Sequence, residues 1–305
     1  MSTSKLKVLV YGATGSQGSP VVRKLLERGH TPYVLTRDSQ KAAPLQAAGA
    51  QVVTGDVSDR ESLQKASQGM DAVALMTPVF TAVPPAVTAK NAIDAAVAAG
   101  VPLIVWNTGG KPSAANESVG NPLLDHQQQT TAYLQASGIP HIILQPTVYL
   151  ENLLGPYTAP FVANENRLAY PHPADMQAQW LASDDLGALM VAALERPHLD
   201  GSRFEISGPE RLDGAALAEQ FSRALGRPIT YYAMPPLEFG AILNQVFGPG
   251  AGDAVAKDYQ MLYDFPEQKR KYLLDMQPVL EKLPVRLTSV QEWVAQHAVA
   301  FAPAR

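Results

Sequence analysis

Between residues 7 and 144 the chain alternates six short β-rich runs with five amphipathic stretches, and a glycine follows each stretch. Lys7-Val8-Leu9-Val10-Tyr11 is an apolar run that ends at Gly12, the pattern of a buried strand. Residues 19–28 carry apolar side chains at 21, 22, 25 and 26 and stop at Gly29, as a helix with a C′ glycine does. The same reading places strands at 31–36, 51–54, 72–76, 103–106 and 141–144, and helices at 41–48, 61–67, 86–99 and 124–136. Strands that alternate with short helices form parallel βαβ units with right-handed crossovers. Helices then cover both faces of the sheet, which accounts for strands that are apolar almost throughout. The expected architecture is a doubly wound sheet.

After Leu150 the rhythm changes. Residues 155–180 hold four prolines and little periodicity. Residues 183–195 read as a helix, 203–207 as a strand and 214–225 as another helix, and glycine-rich 247–253 reads as a mobile loop. The expected division is a first domain over 1–150, with 183–207 returning to it, and a smaller domain over 151–305.

Composition narrows the function classes. Charged residues make up 17% and apolar residues 46%, the reverse of a disordered chain. A net charge of −4 over 305 residues disfavours direct nucleic-acid binding, which needs clustered cations. No cysteine is present, so disulfides, thiol nucleophiles and thiolate metal sites are excluded. No run of 18 uncharged apolar residues and no leader-like N-terminus occurs, so no membrane partner is expected and the cytoplasm is the default. Residues 1–150 sum to +2 and the remainder to −6, a slight bias that suits an anionic ligand in the first half.

The strongest chemical signal is Gly12-Ala-Thr14-Gly15-Ser16-Gln17-Gly18, at the first strand-to-helix turn. Glycines there let the backbone turn tightly and approach a pyrophosphate, while the helix N-terminus offers free N–H groups. Ser16 and Gln17 are positioned to complete the cradle. The second strand ends Leu35-Thr36-Arg37-Asp38. An acid at that place binds a ribose 2′-OH and an arginine accommodates a 2′-phosphate. Arg37 therefore favours NADP over NAD, with Asp38 as the competing ribose acid. Asp56 and Val57 close the third strand, Asp56 as an acceptor for an adenine amino group or as a helix cap. Thr77 and Pro78 follow the fourth strand and Asn107 the fifth, on the same edge of the sheet, where they would line the inner ribose and nicotinamide.

Taken together, Val8-Leu-Val-Tyr-Gly-Ala-Thr-Gly-Ser-Gln-Gly18, the Gly49-to-Asp56 segment, Ser137-Gly-Ile-Pro-His-Ile-Ile-Leu-Gln-Pro146 with Glu151-Asn-Leu, and Phe204-Glu-Ile-Ser-Gly-Pro-Glu210 resemble the NmrA-like branch of the atypical short-chain dehydrogenases, over about residues 5 to 300. The resemblance implies the class α/β: a doubly wound parallel Rossmann sheet with a smaller, partly interleaved α+β substrate-side domain. It also implies an NADP cofactor and a small-molecule substrate. Its members include isoflavone reductase-like and quinone reductase-like enzymes, and NADP-binding regulators that act through protein partners.

The departures from the family pattern bear on catalysis. None of the 11 tyrosines has a lysine four residues on, so the Tyr-x-x-x-Lys pair is missing. Many NmrA-like members keep a lysine early in the helix before the Ser-Gly-Ile-Pro turn; here Gln127 stands in its place. An amide supplies neither a cation nor a titratable proton, and lost general acid catalysis costs roughly 10²–10⁴-fold. A quinone needs that help least, because its oxyanion is delocalised. His126 is a substitute acid by its ordinary pKa or else a solvent-facing histidine, and Tyr133 and Tyr149 are weaker candidates. No histidine pair shows i, i+4 spacing and no metal is expected. Two functions remain: hydride transfer from NADPH to a quinone or enone-like substrate, with Gln127 and His126 nearest the chemistry, or a non-catalytic NADP(H) sensor. Oligomeric state is not legible.

Overall fold

The computed structural model describes residues 5–77, 83–110 and 122–303. The first stretch of chain runs β1 (Lys7–Val10), α1 (Gly18–Glu27), β2 (Thr31–Thr36), α2 (Ser39–Ala47), β3 (Gln51–Thr54), α3 (Arg60–Ser67), β4 (Ala72–Met76), α4 (Pro85–Ala98), β5 (Ile104–Asn107), α5 (Pro122–Ala136) and β6 (His141–Pro146). It continues through β7 (Val148–Tyr149), α6 (Ala159–Glu165), β8 (Arg167–Tyr170), β9 (Trp180–Leu181), α7 (Ser183–Leu194), β10 (Arg203–Ile206), α8 (Gly214–Leu225) and β11 (Thr230–Ala233). The helices α9 (Pro236–Phe247), α10 (Asp253–Asp264), α11 (Gln277–Lys282) and α12 (Val290–Gln296) complete it.

Seven strands form the central sheet in the order β10-β6-β5-β4-β1-β2-β3. The β1–β2, β2–β3, β1–β4, β4–β5 and β5–β6 pairs are parallel. β10 joins β6 in the same sense, since Ile143 and Thr147 donate to the carbonyls of Ser202 and Ile206 in step. The chain moves outward from β1 through β2 to β3 and then returns to β4 on β1's other side. That reversal makes a topological switch point at the carboxyl ends of β1 and β4, where open α/β sheets place their ligands.

Two compact units are present: one of Met1–Pro146, Ser183–Glu205 and Gln277–Val285, the other of Thr147–Ala182, Ile206–Met276 and Arg286–Arg305. In the first, Leu9, Val73, Leu75, Ile104, Trp106 and Ile143 share a core with Leu63 of α3, Ile93 of α4 and Leu134 of α5. These strands bury both faces, so the alternation of polar and apolar residues seen in half-exposed strands is absent. Glu195, just past α7, is buried and bonds both Arg28 (2.7 Å) and His30 (3.1 Å) in the α1–β2 turn.

The second unit has its own core, with Leu153, Val162, Tyr170, Trp180, Phe221, Trp293 and Phe301 among its members. Its strands are short: β8 pairs with β11 and β7 with β9. Such two- and four-residue strands carry too little pattern to be read from sequence, and β7, β8, β9 and β11 were not expected. The glycine-rich 247–253 stretch makes a short turn between α9 and α10, tied by Asn244. Asn244 Nδ2 donates to Asp253 (2.9 Å) and Asn244 Oδ1 accepts from the Gly252 amide (2.7 Å).

Candidate functional site at the carboxyl edge of the sheet

The first βα turn is shaped by two glycines. Gly12 has φ +64°, a conformation that side chains with a Cβ rarely adopt. A Cβ on Gly18 would lie 2.2 Å from the Gly12 carbonyl oxygen, so only hydrogen fits where α1 begins. The Gly15 N–H donates to the Gly12 carbonyl (3.0 Å) and closes the turn. Thr14, Gly15 and Ser16 form its exposed tip. No side chain caps α1 and no acid lies in its first turn, so the positive end of its dipole faces the loop without a protein anion. Gln17 is partly committed elsewhere: its Oε1 accepts from Asn107 Nδ2 (3.0 Å), tying the loop to the end of β5.

At the end of β2, Arg37 and Asp38 have separate fates. Asp38 caps α2, its Oδ1 accepting from the Gln40 amide (2.9 Å). That cap gives Asp38 a structural role of its own at the start of α2. Arg37 is 69% exposed, and its guanidinium stands 3.9 Å from Asp56 Oδ2. Asp56 Oδ1 accepts from the Ser58 amide (2.8 Å) and hydroxyl (2.7 Å). Those bonds hold its carboxyl below the usual carboxylate range, with a smaller contribution from Arg37. The cap of α3 is Asp59, which accepts from the Glu61 amide (3.0 Å), so Asp56 does not serve as that cap. Val57 offers its carbonyl to Asn91 Nδ2 (2.9 Å), pinning the β3–α3 loop to α4.

The ends of β4 and β5 meet α5. Asn107 is buried, and its Oδ1 accepts from the Gly109 amide (3.2 Å). Gln127 is buried on α5 and donates Nε2–H to the Thr108 carbonyl (3.1 Å). His126 turns instead toward β4, with Nε2 3.1 Å from Thr77 Oγ1 and Nδ1 3.1 Å from Thr130 Oγ1. Adjacent positions on one helix thus serve two strand ends, as a 100° step allows. Pro78 lies outside the described residues.

His126 is neither solvent-facing nor an acid of useful strength. It is 7% exposed, and burial pushes its pKa down to about 4. At neutral pH it is an uncharged imidazole held between two threonine hydroxyls. Thr130, one turn along α5, had no signal in the sequence beyond its spacing from His126. Tyr133 bonds Lys90 and Asp94 of α4, which occupies its hydroxyl on both sides. Tyr149 is buried in the second unit, beside Leu181 of β9.

The edge therefore combines an open, anion-receptive turn with an exposed arginine and a neutral corner of half-buried Thr77 with buried Asn107, His126 and Gln127. A dinucleotide phosphate fits the first: the uncapped helix end and the glycine cradle that a Cβ would fill are what such a group requires. The buried corner can offer hydrogen bonds but carries no proton that titrates near neutrality. Among the described residues no cluster of metal-ligating side chains occurs, and no helix is long and apolar enough to cross a membrane.

Residues 4–294 match the NmrA-like family. The NAD(P)H azoreductase of Xenophilus azovorans is 33% identical over 301 residues, covering 97% of this chain and 100% of the relative. Among solved structures, an NADPH-dependent quinone oxidoreductase from Escherichia coli, complexed with NADPH, superposes with a TM-score of 0.75. It is 23% identical and is covered over 96% of this chain and 100% of its own. NmrA, a negative transcriptional regulator in complex with NADP, superposes with a TM-score of 0.73 at 19% identity, covering 96% of this chain and 95% of its own. The two structural likenesses concern the fold.

Proposed function

The chain belongs to the NmrA-like family, and from that premise we propose that it is an NADP(H)-dependent oxidoreductase that passes hydride to a quinone or a similarly electron-poor acceptor. The observation that carries this reading is the pairing of an anion-receptive turn with a proton-poor corner at the other end of the same edge. Gly12, Gly15 and Gly18 would hold the pyrophosphate through backbone N–H groups, with Thr14 and Ser16 at the exposed tip. Arg37, free to swing from its 3.9 Å approach to Asp56, would take the 2′-phosphate. NADPH bound there supplies the hydride. Asn107, Thr77 and Gln127 would face its nicotinamide end, orienting it through neutral hydrogen bonds.

An acceptor reduced without a protein acid must carry its own negative charge well. A quinone does so by delocalisation, and an azo group of the kind named for the relative from X. azovorans is electron-poor in the same sense. A simple aldehyde does not. The test is NADPH oxidation, followed by the absorbance of the reduced nicotinamide, with quinones, azo dyes and aldehydes. Quinone or azo turnover well above the enzyme-free rate, with little for aldehydes, is the expected result; no turnover with any of them refutes the enzyme.

A second reading has one observation in its favour. Gln127 has no titratable proton, and His126 is neutral and buried, so the corner suits recognition as well as chemistry. On that reading the protein is an NADP(H) sensor acting through a protein partner. Tighter binding of NADPH than of NADP⁺, with no turnover and a partner bound in one redox state only, supports it.

A further inference from the structure

Two buried amides at this edge each leave a buried polar atom without a hydrogen-bond partner among the described residues. Gln127 Nε2 donates to the Thr108 carbonyl at 3.1 Å, yet its Oε1 is buried with no hydrogen-bond partner among the described residues. The orientation is forced by chemistry, since a carbonyl accepts only and the atom facing Thr108 must be the nitrogen. Gln145, at the carboxyl end of β6, is 2% exposed, and its Nε2 is likewise buried with no partner.

Both residues flank Thr108. The Thr108 amide donates to the Leu144 carbonyl at 3.0 Å, one residue before Gln145. Side chains alternate along a strand, so Gln145 shares the sheet face of Ile143, which belongs to the core built with α5. That is also the side from which Gln127 reaches the edge. An orphaned buried polar group is costly, and two of opposite polarity call for a partner that both donates and accepts.

We propose that Gln127 and Gln145 together recognise a primary carboxamide, that of the nicotinamide: Gln145 Nε2–H donates to the carboxamide oxygen and Gln127 Oε1 accepts from the carboxamide NH₂. The inference rests on the NADP(H) reading above and adds Gln145 to the site. It also explains what a glutamine does at position 127 that a lysine cannot, because an ammonium group has no acceptor.

The test compares NADP⁺ with its 3-acetylpyridine analogue, in which a methyl group replaces the carboxamide NH₂ while the carbonyl stays. Calorimetric titration of the full chain should show NADP⁺ preferred by about three- to tenfold, the worth of one neutral hydrogen bond. Gln127→Met removes the acceptor, so NADP⁺ binding falls and the preference disappears. Gln145→Met removes the donor to a carbonyl that both ligands possess, so both weaken by a similar factor and the preference remains. Thermal melting without ligand supplies a second readout. Gln145→Met should melt at or above the parent temperature, because an orphaned donor is replaced by an apolar group of similar length, while the NADP⁺-induced shift shrinks. Wild-type affinity and preference in both variants would mean that the amides hold only water, and would overturn the pairing while leaving the cofactor reading intact. A wild-type chain that binds neither dinucleotide overturns both.

Discussion

At the β1–β2 end of the edge the candidate groups are exposed: the tip Thr14–Ser16, the uncapped start of α1, and Arg37. At the β4–β6 end they are buried, neutral and bonded to one another, from Gln17–Asn107 to Gln127–Thr108 and His126 between two threonines. The first arrangement attracts an anion at long range and tolerates water. The second discriminates by the direction of each hydrogen bond, in a place where an unmatched polar atom is costly. Affinity is expected to reside at the first end and choice of chemistry at the second.

That contrast is breakable. The largest effect should come from Gly18→Val, which drives a Cβ into the Gly12 carbonyl. A loss of about 1–3 kcal/mol of stability is expected from such overpacking, and NADPH affinity should fall on the order of 100-fold; calorimetry and thermal melting measure both. Arg37→Ala should weaken NADPH by about 10- to 100-fold, the range of a charge-assisted hydrogen bond, and leave NADH unchanged. An equal effect on both cofactors refutes the 2′-phosphate assignment.

The buried end is probed by pH. His126 stays neutral down to about pH 4 in the folded chain, whereas in the unfolded chain it takes up a proton near 6.5. Between those values the unfolded state binds more protons, so stability falls as pH drops through that window. Chemical denaturation at about pH 7.5 and about pH 5 should show His126→Gln losing roughly 1–2 kcal/mol less than the parent; identical losses would place the imidazole in contact with water. The smallest effect sharpens the other end. Asp38→Ala should cost about 1 kcal/mol of stability through the lost α2 cap and leave NADPH affinity unchanged, whereas a ribose acid would show the reverse.

The sheet was legible because its signals are local and repeated. Apolar runs, helical periodicity and glycine stops recur from 7 to 144, and the β1–Gly12–Gly18–α1 unit is fully specified by residue type. What escaped had two physical causes. Strands such as Val148–Tyr149 and Trp180–Leu181 exist only through partners distant in sequence. The state of His126 depends on which atoms surround it: its ordinary pKa suggested an acid, and burial between Thr77 and Thr130 removes that role. Gln145 was part of a recognised motif, yet nothing in its neighbours along the chain signals an unpaired amide.

β10 is the last strand to join the sheet, and it covers β6, which ends some sixty residues earlier. During synthesis at about 5–20 residues per second, the β6 edge therefore stands open for roughly 3–12 s after it emerges. An uncovered strand edge invites pairing with other chains. A fragment ending near residue 150 would keep the whole glycine turn and Arg37 but never acquire β10 or the Glu195 clasp on Arg28 and His30. The half that carries the glycine turn is thus not a separable module: its sheet is complete only when the chain has travelled through the other unit and come back.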